Sequence, residues 1–172
     1  QPEFDYPKGD SNEYTTYAGS GGIKLNSLLK RLVFAFKFGD VKLLFSEQLK
    51  DDSKLLYDHS ITSISRKITP FIIYDEDPYL VVTDEGRLVW MQDGYTISSQ
   101  FPYAEKIQRN VSYIRNAVKV TIDAYDGTTK FYIADNTDPI IKTLDKIYPN
   151  LFLPMEKMPA DIRNHIRYPK GL

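Results

Sequence analysis

The chain has 172 residues, 42% hydrophobic and 26% charged, with a formal net charge of −1 and no cysteine. At that length one domain is expected, able to bury on the order of 70% of its unfolded surface. The balanced charge gives no global attraction to nucleic acid or to an anionic membrane. The missing thiols exclude disulfides, thiolate metal sites and a thiol nucleophile.

Residues 1–22 carry Pro2, Pro7 and four glycines among small polar residues, which predicts an irregular arm. Its aromatics, Phe4, Tyr6, Tyr14 and Tyr17, suggest that the arm docks on a single α+β domain formed by residues 23–172. From Ile23 the apolar positions Leu25, Leu28, Leu29, Leu32, Val33 and Phe36 follow helical spacing, with Gly39 as the stop. Asp40 is placed to cap a short second helix through Leu44 to Leu49, and Ser53 to cap a third that ends before Pro70. The pattern then alternates. YLVVT, RLVWMQ and YTISS predict a meander with turns at Asp84-Glu85-Gly86 and at Asp93-Gly94. AVKVTIDAY and TTKFYIAD, joined by Asp126 and Gly127, predict a hairpin. Asp138 and Pro139 read as N-cap and first residue of a helix running to about Tyr148, and a last short helix follows Pro159. Helices, then an antiparallel sheet of about five strands, then helices make the expected class α+β.

The segment YDEDPYLVV, residues 74–82, opens an acid-rich tract. Asp75, Glu76, Asp77, Asp84, Glu85 and Asp93 face one base, Arg87, between residues 71 and 100. Convergent carboxylates suit calcium, so Asp75, Asp77 and Asp84 are the candidate metal ligands. The linear pattern of a calcium loop is absent, however. The competing expectation is that Asp77 is held extended before Pro78, while Asp84 and Asp93 start turns. Asp75 and Asp77 could also form a hydrolytic carboxylate pair, although any two acids spaced by two share a strand face. GSGGIKLNS, residues 19–27, brings glycines to a helix start but lacks the lysine and hydroxyl of a phosphate loop. Ala18 occupies the position where a nucleophile elbow needs glycine. His59 and His165, the only histidines, cannot supply a three-histidine zinc site. No catalytic residue and no cofactor are therefore expected.

The helix over residues 24–38 carries Lys24, Lys30, Arg31 and Lys37 without an acid. Such a helix can lie on an anionic membrane, but burial of its apolar face in its own domain is expected here. Asn110-Val111-Ser112 is a formal glycosylation sequon. Arg115 and Lys119, with Asp123 and Asp126, are expected to form partly exposed ion pairs of about 1 kcal/mol at most. The longest apolar run, LVFAF at 32–36, is far short of the roughly 20 residues of a membrane span.

Five stretches in order, RLVFAFKFGDVKLLFS (31–46), TPFIIYDEDPYLVV (69–82), GRLVWMQDGYTIS (86–98), YIRNAVKVTIDAYDGTTKFYIAD (113–135) and HIRYP (165–169), resemble the uncharacterised protein family (UPF) 0182. The resemblance covers roughly residues 4–172. It departs at Gly94, where alanine is expected in the family, and at His59, where arginine is expected. That family consists of large bacterial membrane proteins with N-terminal transmembrane helices and a long extracytoplasmic region. The resemblance implies that this chain is the first part of that region, tethered to the cell membrane by helices outside it, and a sequence that opens QPEFDYP without a methionine is expected to be a piece of something longer. The expected role is a non-enzymatic interaction or scaffolding module with other envelope or membrane proteins as partners and no nucleic acid. The alternatives are a cation- or glycan-binding module using residues 75–93, and an extracytoplasmic hydrolase.

Overall fold

The computed structural model describes residues 3–46, 49–106 and 111–170; Asn110 of the sequon lies outside them. The chain forms two compact units, Gln1–Tyr57 and Asp58–Leu172. The division falls between Tyr57 and Asp58.

In the first unit, β1 (Glu3–Lys8) and β2 (Ser11–Thr15) form an antiparallel hairpin turning at Gly9, whose φ is +61°. The stretch expected to be an irregular arm is thus ordered in part, with Tyr6 and Tyr14 exposed. Ile23 and Lys24 form β3, which pairs antiparallel with β4 (Lys54–Leu55). Helix α1 therefore starts later than its apolar spacing predicts. It spans Leu28–Phe38, capped by the Ser27 hydroxyl accepting from the Lys30 amide and closed by Gly39 in the left-handed region. Helix α2 is only Lys42–Phe45; the Asp40 carboxylate accepts from the Lys42 amide at 3.0 Å. Ser53 does not cap a helix, because the next residues are drawn into β4.

The second unit is built on one six-stranded sheet. Helix α3 (Ile61–Ile68), capped by Ser60, leads into β5 (Ile73–Tyr74) and β6 (Tyr79–Val82), which both pair with β7 (Leu88–Ser98). Strand β7 pairs with β8 (Tyr113–Asp123), and β8 with β9 (Thr129–Ile133), all antiparallel. The expected hairpin turn is present, with Gly127 at φ +75°. Helix α4 (Pro139–Ile147) starts as expected, with the Asp138 carboxylate accepting from the Ile140 amide and Pro139 in the first turn. Then β10 (Phe152–Pro154) returns parallel to β9, and α5 (Ala160–Arg163) follows Pro159. The class is α+β.

Asp93 and Gly94 do not form a turn. They lie inside the 11-residue β7, where the register against β8 shifts between Gly94 and Thr96. Both faces of the sheet are covered, which explains why β8 is buried continuously from Ala117 to Ile122. On one face Val118, Val120, Ile122 and Phe131 pack with Ile72, Tyr74 and, from α4, Ile141. On the other, Val81, Val89, Met91 and Tyr132 pack with Met158 and Ile162 of the C-terminal segment.

Gly94 packs closely against the first of these layers: an added Cβ would stand 2.9 Å from Ile72 Cγ2 and 3.2 Å from Val118 Cβ. We expect Gly94→Ala to destabilise the second unit by about 1–3 kcal/mol, the usual cost of overpacking a closed core. Ile72→Leu removes the obstructing γ2 methyl and should recover part of the loss. The sole tryptophan, Trp90, packs against this core, so its fluorescence in urea titrations reads the effect. Equal stability of Gly94→Ala and the parent would refute the packing argument.

Candidate functional site

The acid-rich tract is a break in strand pairing. Tyr74 faces Gly94 and Tyr79 faces Met91, so the line formed by β5 and β6 is two residues longer than β7 between these pairs. The excess is looped out at Asp75–Pro78, and side chains satisfy what the ladder loses. The Asp75 amide still donates to the Asp93 carbonyl at 2.9 Å. Gln92, buried opposite the gap, donates from Nε2 to the Asp75 carbonyl (2.9 Å) and to Thr62 Oγ1 (2.9 Å), while its Oε1 accepts from Ser65 (2.9 Å). The Asp75 carboxylate accepts from the Asp77 amide (2.9 Å) and the Tyr95 hydroxyl (2.5 Å).

The three candidate metal ligands are therefore not brought together. Asp75 is buried and turned toward Tyr95; Asp77 is exposed and pairs with Lys170 at 2.5 Å; Asp84 lies on the β6–β7 turn, its amide donating to Asp161. Asp84 does not start that turn by bonding its own backbone. Thr83 does so, its carbonyl accepting from the Gly86 amide and its hydroxyl from the Arg87 amide. Among the described residues, no group of three or more His, Asp or Glu side chains is arranged to hold a metal ion. Both histidines are exposed, and the His165 ring meets the Asp161 carbonyl.

Asp93 has a different role from the one its sequence context suggests. It stands directly across from Lys119, and the two form an ion pair with side chains only 7% and 6% exposed. Asn116 donates to the same carboxylate oxygen at 3.0 Å, and Lys119 also reaches the Arg167 carbonyl at 3.4 Å. The HIRYP segment lies over this pair: the Arg167 guanidinium stacks on the Tyr79 ring at 4.5 Å, and its amide donates to the Tyr79 hydroxyl. A cleft of about 440 Å³ opens beside it, lined by Asn116, Lys119, Met155, Arg167 and Tyr168. The other charges expected to pair around the hairpin find different partners. Arg115 is exposed and meets Asp135 at 3.4 Å, and Arg87 donates twice to Asp123. Hydrogen bonds from Thr137, with Arg115 adding to them, hold the Asp135 carboxyl below the usual range. Arg87, Asp123 and Asp126 line a second cleft of about 450 Å³ with Glu85, Lys130 and Asp161, where Arg87 pairs with Asp123 and the acids outnumber the bases.

The feature least expected from the sequence is on α1. Only Phe34 and Ala35 of this helix are buried. Leu28 (75%), Leu29 (72%) and Phe36 (91%) are largely exposed, and Leu32 and Val33 are about half exposed. Val41 and, on α2, Phe45 are exposed as well. The expectation that α1 buries its apolar face within its own domain is overturned, because Phe34 rests on Phe38 and Tyr57 through the opposite side of the helix. The signal was available in the sequence as an apolar stripe wider than one packing face needs.

Among known proteins, residues 1–172 match the model described as Uncharacterised protein family (UPF0182). A UPF0182 protein of Pelotomaculum thermopropionicum is 50% identical over 170 residues, which cover 99% of this chain and 18% of that relative. One from Desulforamulus reducens is 50% identical over 171 residues, with 99% and 18% covered, and one from Sulfurovum sp. is 46% identical over 175 residues, with 99% and 19% covered. The chain thus spans less than a fifth of the length of these curated relatives. No solved structure matches. Matched from end to end, the chain belongs to the uncharacterised protein family UPF0182.

Proposed function

We propose that this chain is a non-catalytic interaction module of a much larger membrane-anchored protein, working on the extracytoplasmic side of the membrane. The observation that carries the reading is the uncovered apolar face of α1. A soluble monomer seldom leaves a contiguous apolar patch of several hundred Å² in water unless something docks there. The relatives, more than five times longer than this chain, supply ample further structure to which a docking module can belong. Two of the charged groups lining the clefts are also engaged within the fold, Arg87 with Asp123 and Lys119 with Asp93.

One labelling experiment tests both parts of the proposal. The chain has no cysteine, so Phe36→Cys or Tyr125→Cys can be introduced singly into the longer protein and compared with the same protein lacking it. In intact cells a membrane-impermeant maleimide is expected to label Tyr125→Cys readily, and Phe36→Cys only after solubilisation or denaturation. Labelling of Tyr125→Cys solely in permeabilised cells would put the module in the wrong compartment. Phe36→Cys reacting as fast as Tyr125→Cys in intact cells would remove the docking role.

A further inference from the structure

We infer that the occupant of the α1 face is the surface of an anionic lipid bilayer, an assignment that rests on the docking role proposed above. At 3.6 residues per turn, Leu28, Leu29, Leu32, Val33 and Phe36 fall within an arc of about 140°. Each is exposed, and the helix is anchored from its other side by Phe34 and Ala35. The apolar arc is therefore a continuous strip about two and a half turns long on the side of the helix away from Phe34.

Charge decides between a lipid surface and a protein groove. Helix α1 carries Lys30, Arg31 and Lys37 and no acid. Arg31 is used internally, donating to the carbonyls of Leu25 and Leu49. Lys30 and Lys37 are seven residues apart and share one line along the border of the apolar arc. Among the described residues, the Lys30 ammonium meets the Asn26 side chain and Lys37 lies 4.5 Å from the Tyr57 ring centroid, and neither forms an ion pair with a carboxylate. An apolar strip bordered by uncompensated lysines matches a bilayer interface, where acyl chains take the leucines and phenylalanine and anionic headgroups take the ammonium groups.

The test is flotation of the 172-residue chain with vesicles of phosphatidylglycerol and phosphatidylcholine, against phosphatidylcholine alone. Binding is expected to the anionic vesicles, to weaken as salt is raised, and to be slight on the neutral ones. Leu29→Ser with Phe36→Ser should reduce it about tenfold or more, and Lys30→Glu with Lys37→Glu should do the same on anionic vesicles. All four positions are exposed, and far-UV circular dichroism, which reads helices and strands of both units, verifies that each variant stays folded. Flotation unaffected by either pair overturns the inference. So does a concentration-dependent dimer that the same substitutions dissolve, because the face then takes a second copy. If Phe36→Cys is protected in the longer protein while the chain ignores anionic vesicles, the docking role stands and a protein is the occupant.

Discussion

Replacing Lys119 with methionine is expected to cost the second unit about 3–5 kcal/mol, lowering its midpoint on the order of 10 °C. The reason is what the substitution leaves behind. Asp93 is 5% exposed, and without the ammonium its charge keeps, among the described residues, Asn116 as its side-chain hydrogen-bond donor. Removing both charges, Asp93→Leu with Lys119→Met, should cost much less than removing one, because two buried desolvation penalties vanish together with the attraction that offset them. Urea unfolding followed by Trp90 distinguishes the two. If the double variant is as unstable as Lys119→Met, the damage comes from lost packing, and the buried pair contributes little through its charge.

Alkaline pH should produce the next largest effect. Tyr74 is 3% exposed, and burial pushes its hydroxyl from near 10 up to about 12. Tyr113, through burial and then its hydrogen bond to Asp138, is also pushed up to about 12. The raised values mean that the folded state favours the neutral phenol. Below about pH 10 both folded and unfolded chains carry it neutral, and the stability is fully present. Above that the unfolded chain ionises first, and the stability drains away as pH rises toward 12. For Tyr74 alone the loss is about 3 kcal/mol over that interval. Tyr74→Phe gives up a hydrogen bond with Thr69, so it should be about 1 kcal/mol less stable at pH 8. Its decline between pH 10 and 12 should nevertheless be shallower than the parent's. Parallel declines would show that other groups govern the alkaline limb.

What could be read in the sequence was whatever local chemistry decides. The turn at Asp126 and Gly127 needs only a residue free to take positive φ between alternating arms, and the start at Asp138 and Pro139 needs only a carboxylate and a preset φ. Asp93 and Gly94 carry the same turn signature and yet lie within a strand. Their partners are distant in sequence: Lys119 neutralises the acid, and Ile72 with Val118 requires the absent side chain. Ser53 does not cap a helix for a related reason, since two residues of pairing between Ile23–Lys24 and Lys54–Leu55 outweigh a capping preference. Strand β10 has three residues, too few for any period to register, and only its docking beside Phe131 defines it. For the candidate site, the acids of 75–77 were conspicuous but serve the interruption in pairing. The α1 face is visible in the sequence as residue types, but which side of the helix faces water depends on Phe34 packing against Phe38 and Tyr57, which no local pattern shows.

That interruption also limits how the second unit can bind anything. The sheet ends on one side at β10, whose three residues finish in Pro154, which has no amide hydrogen to offer. On the other side lie β5, of two residues, and β6, of four, separated by the looped-out Asp75–Pro78 with Glu76 and Asp77 exposed. An incoming strand would need a row of free amides and carbonyls in constant register, and it meets a proline on one border and carboxylates with a second proline on the other. Recognition by strand addition, and stacking of copies sheet to sheet through their borders, are both disfavoured. Whatever the second unit recognises, it recognises through side chains on its faces and loops, and two prolines with two exposed acids guard its borders against fibrous association.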